Sequence, residues 1–171
     1  SQLAGLEWRQ PSAFARSYEL KSGDSVLATV EFKKVFGTLA EARTAEQSWT
    51  FKRTGFLTPV VTARVAGTEQ DLAQYKPGLM GTKGTLHLAG GEVLELKSTN
   101  FWASQWALLD QQGEPLLKFS NQGVLKHGAH VEVGPKAAGR TDLPLLLTMG
   151  WYILALHIED SAASTAVIAG G

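Results

Sequence analysis

Through the first 134 residues, apolar and polar side chains alternate with a period of two rather than 3.6, the pattern of strands with one buried face. The alternation predicts strands over Arg16 to Lys21, Val26 to Phe32, Leu39 to Ala45, Gln47 to Arg53, Pro59 to Val65 and Leu72 to Lys76. Five more follow, over Thr85 to Leu88, Val93 to Lys97, Phe101 to Leu109, Leu116 to Phe119 and Val131 to Gly134. Gly, Pro, Asn or Asp bound these segments and supply the backbone angles of turns. YELKSGDSVLATVEF, LHLAGGEVLEL and WALLDQQGEPLLKF each read as strand, Gly-containing turn, strand, and so as hairpins. In the second, Leu86, Leu88, Val93 and Leu94 place apolar groups near one face, and Gly90 and Gly91 are free to take positive φ. The irregular spacing of the three does not fit propeller repeats. Aromatic residues follow the same rhythm. Trp49 alternates with Phe51 and Tyr18 with Leu20, while Phe101, Trp102 and Trp106 are expected to pack on both faces of one strand.

The segment from Leu143 to Ile158, LPLLLTMGWYILALHI, breaks that rhythm. It has no period of two and no charge, and it predicts a helix that Thr141 or Asp142 caps, that tolerates Pro144 in its first turn, and that Glu159, Asp160 and Ser161 end. A helix apolar on its whole circumference must be surrounded by protein or by lipid. Sixteen residues rise roughly 24 Å at about 1.5 Å each, short of a hydrocarbon core of about 30 Å. Trp151 and Tyr152 lie mid-segment rather than at its ends, and no basic cluster flanks it, so burial in protein is favoured over a membrane span. A closed barrel threaded by the helix covers it on all sides and leaves no sheet edge, so the expected fold is mostly β, a closed antiparallel barrel around a central hydrophobic C-terminal helix. Residues 1–160 form the single domain, with the core helix at 142–159, and SAASTAVIAGG, 161–171, is a flexible or loosely packed tail.

Composition narrows the partners. The 16 basic and 16 acidic residues cancel, so no global field draws the chain to nucleic acid, and a partner must be recognised locally. The absence of cysteine removes disulfides, thiolate nucleophiles and zinc–cysteine sites and suits a cytoplasmic setting, peripheral to a membrane at most. The opening SQLAGLEWRQ has neither the basic flank nor the apolar stretch of a signal peptide.

The succession YELKSGDSVLATVEFKK, WTFKRTGF, GTLHLAGGEVLELKSTNFW, WALLDQQGEPLLKF and DLPLLLTMGWYILALHI resembles the tubby C-terminal-like superfamily, which includes the tubby domain, the LURP-one-related proteins and the phospholipid scramblases. The likeness runs from about Tyr18 to Asp160 and lies in the order of patterns, without a diagnostic motif. It implies a barrel of about twelve strands closed around a hydrophobic C-terminal helix, here Asp142 to Glu159. Its members bind phosphoinositides or are associated with lipid movement, so phospholipid headgroups are the implied partner class. No position matches the tubby lipid-binding residues or the cysteine-rich and calcium-binding segments of scramblases, and no site residue carries over.

Searched for chemistry directly, the chain offers little. His127, His130 and Glu132 have the residue types of a metal site, but only His130 and Glu132 share a strand face. His87 reads as a solvent-facing strand residue, and His157 as a neutral, satisfied histidine or one near the barrel mouth. Glu92 and Glu95 are expected on opposite faces of one strand, and Glu41 and Glu46 flank a turn, so no carboxylate pair is set for acid–base work. GLMGTKG, 78–84, precedes a strand rather than a helix and reads as a flexible turn, not a phosphate loop. No catalytic residue, cofactor or metal is assigned. The remaining candidate is a basic patch for an anion or lipid headgroup: Lys33 and Lys34 at one strand end, Lys52 and Arg53 at another, with Glu31 and Glu46 able to neutralise it. The leading expectation is a non-enzymatic barrel that binds a phospholipid headgroup or a protein on its outer surface. The alternatives are a membrane-associated, scramblase-like protein using the apolar helix, and an enzyme with an unrecognised site.

Overall fold

Each period-two segment pairs with its neighbour in sequence, and the last pairs with the first. The computed structural model describes residues 3–123 and 125–170; Ser1 and Gln2 of the expected domain and Gly171 of the expected tail lie outside them. The strands are β1 (Leu6–Arg9), β2 (Ser17–Ser22), β3 (Ser25–Phe32), β4 (Ala40–Thr44), β5 (Ser48–Thr54) and β6 (Val60–Val65). They continue as β7 (Asp71–Pro77), β8 (Lys83–Leu88), β9 (Val93–Ser98), β10 (Gln105–Leu109), β11 (Pro115–Gln122) and β12 (Gly128–Val133), followed by one helix, α1 (Leu143–Gly170). All neighbours are antiparallel, and β1 closes onto β12 through Leu6 opposite Val131 and Trp8 opposite Ala129. The expected closed barrel is therefore present, with twelve strands and no free edge.

The alternation decides which way each strand faces. In β5, Trp49 and Phe51 are buried while Lys52 is exposed; in β12, Ala129 and Val131 are buried while His130 and Glu132 are exposed. A wall polar outside and apolar inside is the reverse of a barrel that spans lipid. The second hairpin departs in detail from expectation. Leu86 and Leu94 pair inward, but Val93 lies opposite His87 on the outer face, and of the two turn glycines only Gly91 takes a positive φ.

The helix fills the barrel. From Leu145 to Leu156 twelve consecutive residues are buried, more than three turns with no solvent face. Trp151 stacks on Trp8 at 5.9 Å and meets Tyr18 edge-on, while Tyr152 stacks on Phe32 at 5.4 Å and packs against Phe51. Buried Thr148 donates its hydroxyl to the Pro144 carbonyl at 2.8 Å, so it is satisfied within its own helix. Gly150 admits the Phe119 ring against the helix backbone, since a Cβ there would lie 2.8 Å from the ring's Cζ.

Three expectations are corrected. The strand β1 was not foreseen, because four residues, LEWR, are too few to show a period; pairing on both sides, with β12 and β2, holds it. The segment from Phe101 does not begin a strand. Phe101 and Trp102 stand exposed in a loop, β10 starts at Gln105, and only Trp106 reaches the core. The helix neither takes its cap from Asp142 nor ends at Glu159. Arg140 holds the Asp142 carboxylate through Nε at 2.8 Å, and Glu159 and Asp160 are drawn to arginines of the wall, as described below. The Ala-rich stretch after them contains no Gly or Pro before Gly170 and continues the helix with its described side chains exposed through Ile168.

Overpacking the helix against the wall should therefore be costly. Gly150→Leu is expected to lower stability by about 1–3 kcal/mol or more, read from the midpoint of a urea melt, whereas Ser164→Leu, on the exposed last turns, should leave it within about 0.5 kcal/mol.

Candidate functional site

In an up-and-down barrel successive connections alternate between two ends. Residues 10–16, 33–39, 55–59, 78–82, 99–104 and 123–127 lie at the end where α1 leaves the barrel, and the other six connections lie where it enters. The two rims differ in chemistry. Every connection at the exit rim presents at least one large apolar side chain to solvent: Phe14; Val35 and Phe36; Phe56 and Leu57; Leu79 and Met80; Phe101 and Trp102; and Leu125. Phe56 is 96% and Trp102 81% exposed. None of these six segments contains an acidic residue, whereas each of the six at the entry rim contains at least one: Asp24, Glu46, Glu69, Glu92, Asp110 with Glu114, and Asp142. The balanced total charge conceals this division.

The rim loops are held, not loose. Asn100 accepts from the Ser104 backbone N–H at 3.0 Å and donates to the Ser104 hydroxyl at 2.7 Å, and the Trp106 indole donates to the Ala103 carbonyl at 2.9 Å, closing the loop under Phe101 and Trp102. Gln10, almost fully buried, donates to the Ala15 carbonyl and accepts from the His127 backbone N–H, tying two rim loops together beneath Phe14. Phe14 and Ala103, with φ of 69° and 53°, are the two non-glycine residues with positive φ among those described, and both belong to this rim. Such backbone strain persists only where the surroundings enforce it.

The helix is moored to one side of the exit. Arg16 grips Glu159 through Nε and a second nitrogen, both at 2.8 Å, lies over the Phe32 ring at 4.1 Å, and donates to the Lys34 carbonyl. Arg53 grips Asp160 at 2.6 Å and 3.2 Å, a pairing that holds its guanidinium more firmly protonated. Tyr152 donates to the Thr38 carbonyl at 2.6 Å, and burial pushes its own pKa up to about 12. All three moorings lie at β2–β5, so the helix backbone approaches β3, β4 and β5. Beside the Arg53–Asp160 pair a cavity of about 730 Å³ opens between α1, the ends of β6 and β7, the start of β10 and the 55–59 and 78–82 loops. His157 lines it and packs edge-on against Trp106 at 5.0 Å; burial lowers its pKa, against the smaller opposing pull of Asp160.

The four basic candidates arrive at this rim but do not act alike. Phe32 pairs with Ala40 and Ala40 with Phe51, so Lys33, Lys34, Lys52 and Arg53 share one barrel end, separated by one strand. Lys33 pairs with Glu41 at 3.0 Å, rather than with Glu31 or Glu46. Arg53 turns inward to Asp160, Lys52 lies on the outer face, and Lys34 is exposed in its loop. Glu92 precedes β9 instead of sharing a strand with Glu95, and it receives Arg140 at 2.6 Å at the entry rim. Among the described residues no group of three or more His, Asp or Glu side chains is placed to hold a metal. Sequence reasoning missed the crown itself. The signal was there, as VF, FL, LM and FW pairs set between turn residues, but periodicity assigned FW to a strand and left the others without a role.

Comparison with family models, curated proteins and solved structures finds no match to this chain. Among the described residues no helix is long and apolar enough to cross a membrane.

Two outcomes test the moorings. Arg16→Ala should destabilise by about 1–2 kcal/mol in urea, as expected for a half-buried bidentate pair, and Arg53→Ala by less, because Asp160 is more exposed. The folded pKa of His157 lies below its unfolded value, so as pH falls through about 6.5 the unfolded chain takes up the proton first and stability is lost. Between pH 7.5 and 5.5, His157→Gln should lose less melting temperature than the parent.

Proposed function

We propose that this protein is a non-enzymatic, peripheral lipid-surface binder that docks on an anionic phospholipid bilayer through its helix-exit rim. One observation carries the reading: all six loops at that end hold large apolar side chains in solvent, and none of the six contains an acid. Large apolar side chains exposed together at one end of a domain mark an interaction surface. Six separate tips standing around a projecting helix suit a soft, penetrable surface better than a rigid complementary one. Lys34 and Lys126 in the loops, with Lys52, Lys76, Lys83 and Lys97 near the strand ends, supply the complement to anionic headgroups, and the acidic entry rim faces away. The anionic leaflet bordering the cytoplasm has this chemistry. The exposed last turns of α1, carrying Val167 and Ile168, continue past the rim for roughly 15 Å and lie on the same side. The resemblance to tubby-like and scramblase-like proteins points to the same class of partner.

In a flotation assay the full chain should partition onto phosphatidylcholine vesicles containing phosphatidylserine more strongly than onto phosphatidylcholine alone, with the difference falling as salt rises. The combined Phe36→Ser, Phe56→Ser and Trp102→Ser variant, altered only at exposed tips, should keep its melting temperature and lose at least about tenfold in partitioning. Lys34→Ala with Lys52→Ala should mainly remove the preference for phosphatidylserine. Partitioning that is absent in the parent, or unchanged in the triple variant, overturns the proposal.

A further inference from the structure

The cavity beside the helix opens into the middle of the apolar crown, and its construction suits a particular kind of guest. We propose that it is a binding site for a single alkyl chain bearing an anionic head, with the chain between α1 and the β6–β7 wall and the head at the rim beside Lys76. The inference rests on the lipid-surface reading for where such a molecule comes from, but not for the site itself.

The walls are apolar along their depth. Val61 and Tyr75 face in from the strands, Trp106 closes one side, and Ile153 and Leu156 face out from the helix. At about 730 Å³ the space falls within the roughly 300–1,000 Å³ usual for small-molecule sites. It lies beside the Arg53–Asp160 pair, where the helix, closest to β3, β4 and β5, leaves room against the ends of β6 and β7. Gly84 widens it further, since its missing side chain leaves room for the Tyr75 ring to lie back against the wall.

The polar groups gather at the mouth. Arg53 and Asp160 neutralise one another there, leaving Lys76, exposed and in no ion pair among the described residues, as the cation next to the opening. The Tyr75 hydroxyl makes no hydrogen bond among the described residues and is available to a headgroup oxygen. Leu57 and Leu79 both line the cavity and stand exposed at the rim, so the apolar surface is continuous from the loop tips into the interior. A chain leaving a bilayer against these tips would remain in contact with apolar groups throughout.

The test uses the full chain and monomeric alkyl phosphates of increasing length, below their aggregation thresholds and without vesicles, with calorimetry as the readout. The site predicts one molecule per chain and an affinity that rises roughly fourfold per methylene, then levels off once the cavity is filled. Leu156→Trp narrows the interior and Thr58→Trp the mouth, and each should weaken binding at least about tenfold while vesicle flotation persists. Lys76→Ala should reduce the preference for an alkyl phosphate over an alkyl alcohol of equal length. Phe36→Ser, in a rim loop that does not line the cavity, should weaken flotation and leave monomer binding unchanged, which separates failure of the site from failure of the docking surface. Native mass spectrometry after incubation with phosphatidylserine vesicles or with free fatty acid distinguishes the two sources of chain. No monomer binding, binding indifferent to chain length, or binding undiminished in both tryptophan variants overturns the proposal.

Discussion

A helix without a polar face imposes its environment on everything around it. Twelve successive residues of α1, Leu145 to Leu156, have no side that water can reach without cost. A single sheet covers one side of a helix and two sheets cover two, each leaving edges. A sheet rolled until β1 meets β12 covers all sides and removes the edges in the same step. Helix and barrel thus require each other: the helix supplies the interior that an empty barrel of this size would lack, and the barrel supplies the apolar solvent that the helix lacks. Trp151 and Tyr152, mid-helix, complete that dependence by stacking on Trp8 of the first strand and Phe32 of the third.

This architecture was legible because each of its signals is local. Period two survives in almost every strand, and the length and uniformity of LPLLLTMGWYILALHI need no tertiary information. What escaped was decided by partners distant in the chain. LEWR is a strand because Val131 and Leu20 flank it, not because four residues show a period. Glu159 and Asp160 read as a polar stop to the helix, yet Arg16 and Arg53, more than a hundred residues earlier, hold their charges and let the backbone continue. For Phe101 and Trp102, aromatic character argued for burial, and the Asn100 loop that turns them outward is visible only once Ser104 is seen folded back onto it.

The candidate site was legible in part and for a different reason. Lys33, Lys34, Lys52 and Arg53 do meet at one rim, because β3 and β5 run in the same direction with β4 between them. Spacing along the chain cannot say that Arg53, one residue after Lys52, faces inward and is spent on the helix, although strand alternation requires the two to diverge. Nor does any single loop announce the crown. Each exposed pair is an ordinary surface hydrophobe by itself, and its meaning comes from the parity of an up-and-down barrel, which sends every second connection to the same end.

That parity also explains how a chain with no net charge acquires direction. Acids assigned to one set of turns and apolar tips to the other produce a domain with two unlike poles, and α1 runs from the acidic pole to the apolar one. At the exit the helix meets competing demands. It must be fixed firmly enough to seal the barrel, which the Arg16, Arg53 and Tyr152 contacts accomplish on the β2–β5 side, and past the last of these pairs, Arg53 with Asp160, the space between helix and wall opens. The cavity lies beside that mooring and opens among the apolar side chains exposed at the exit rim.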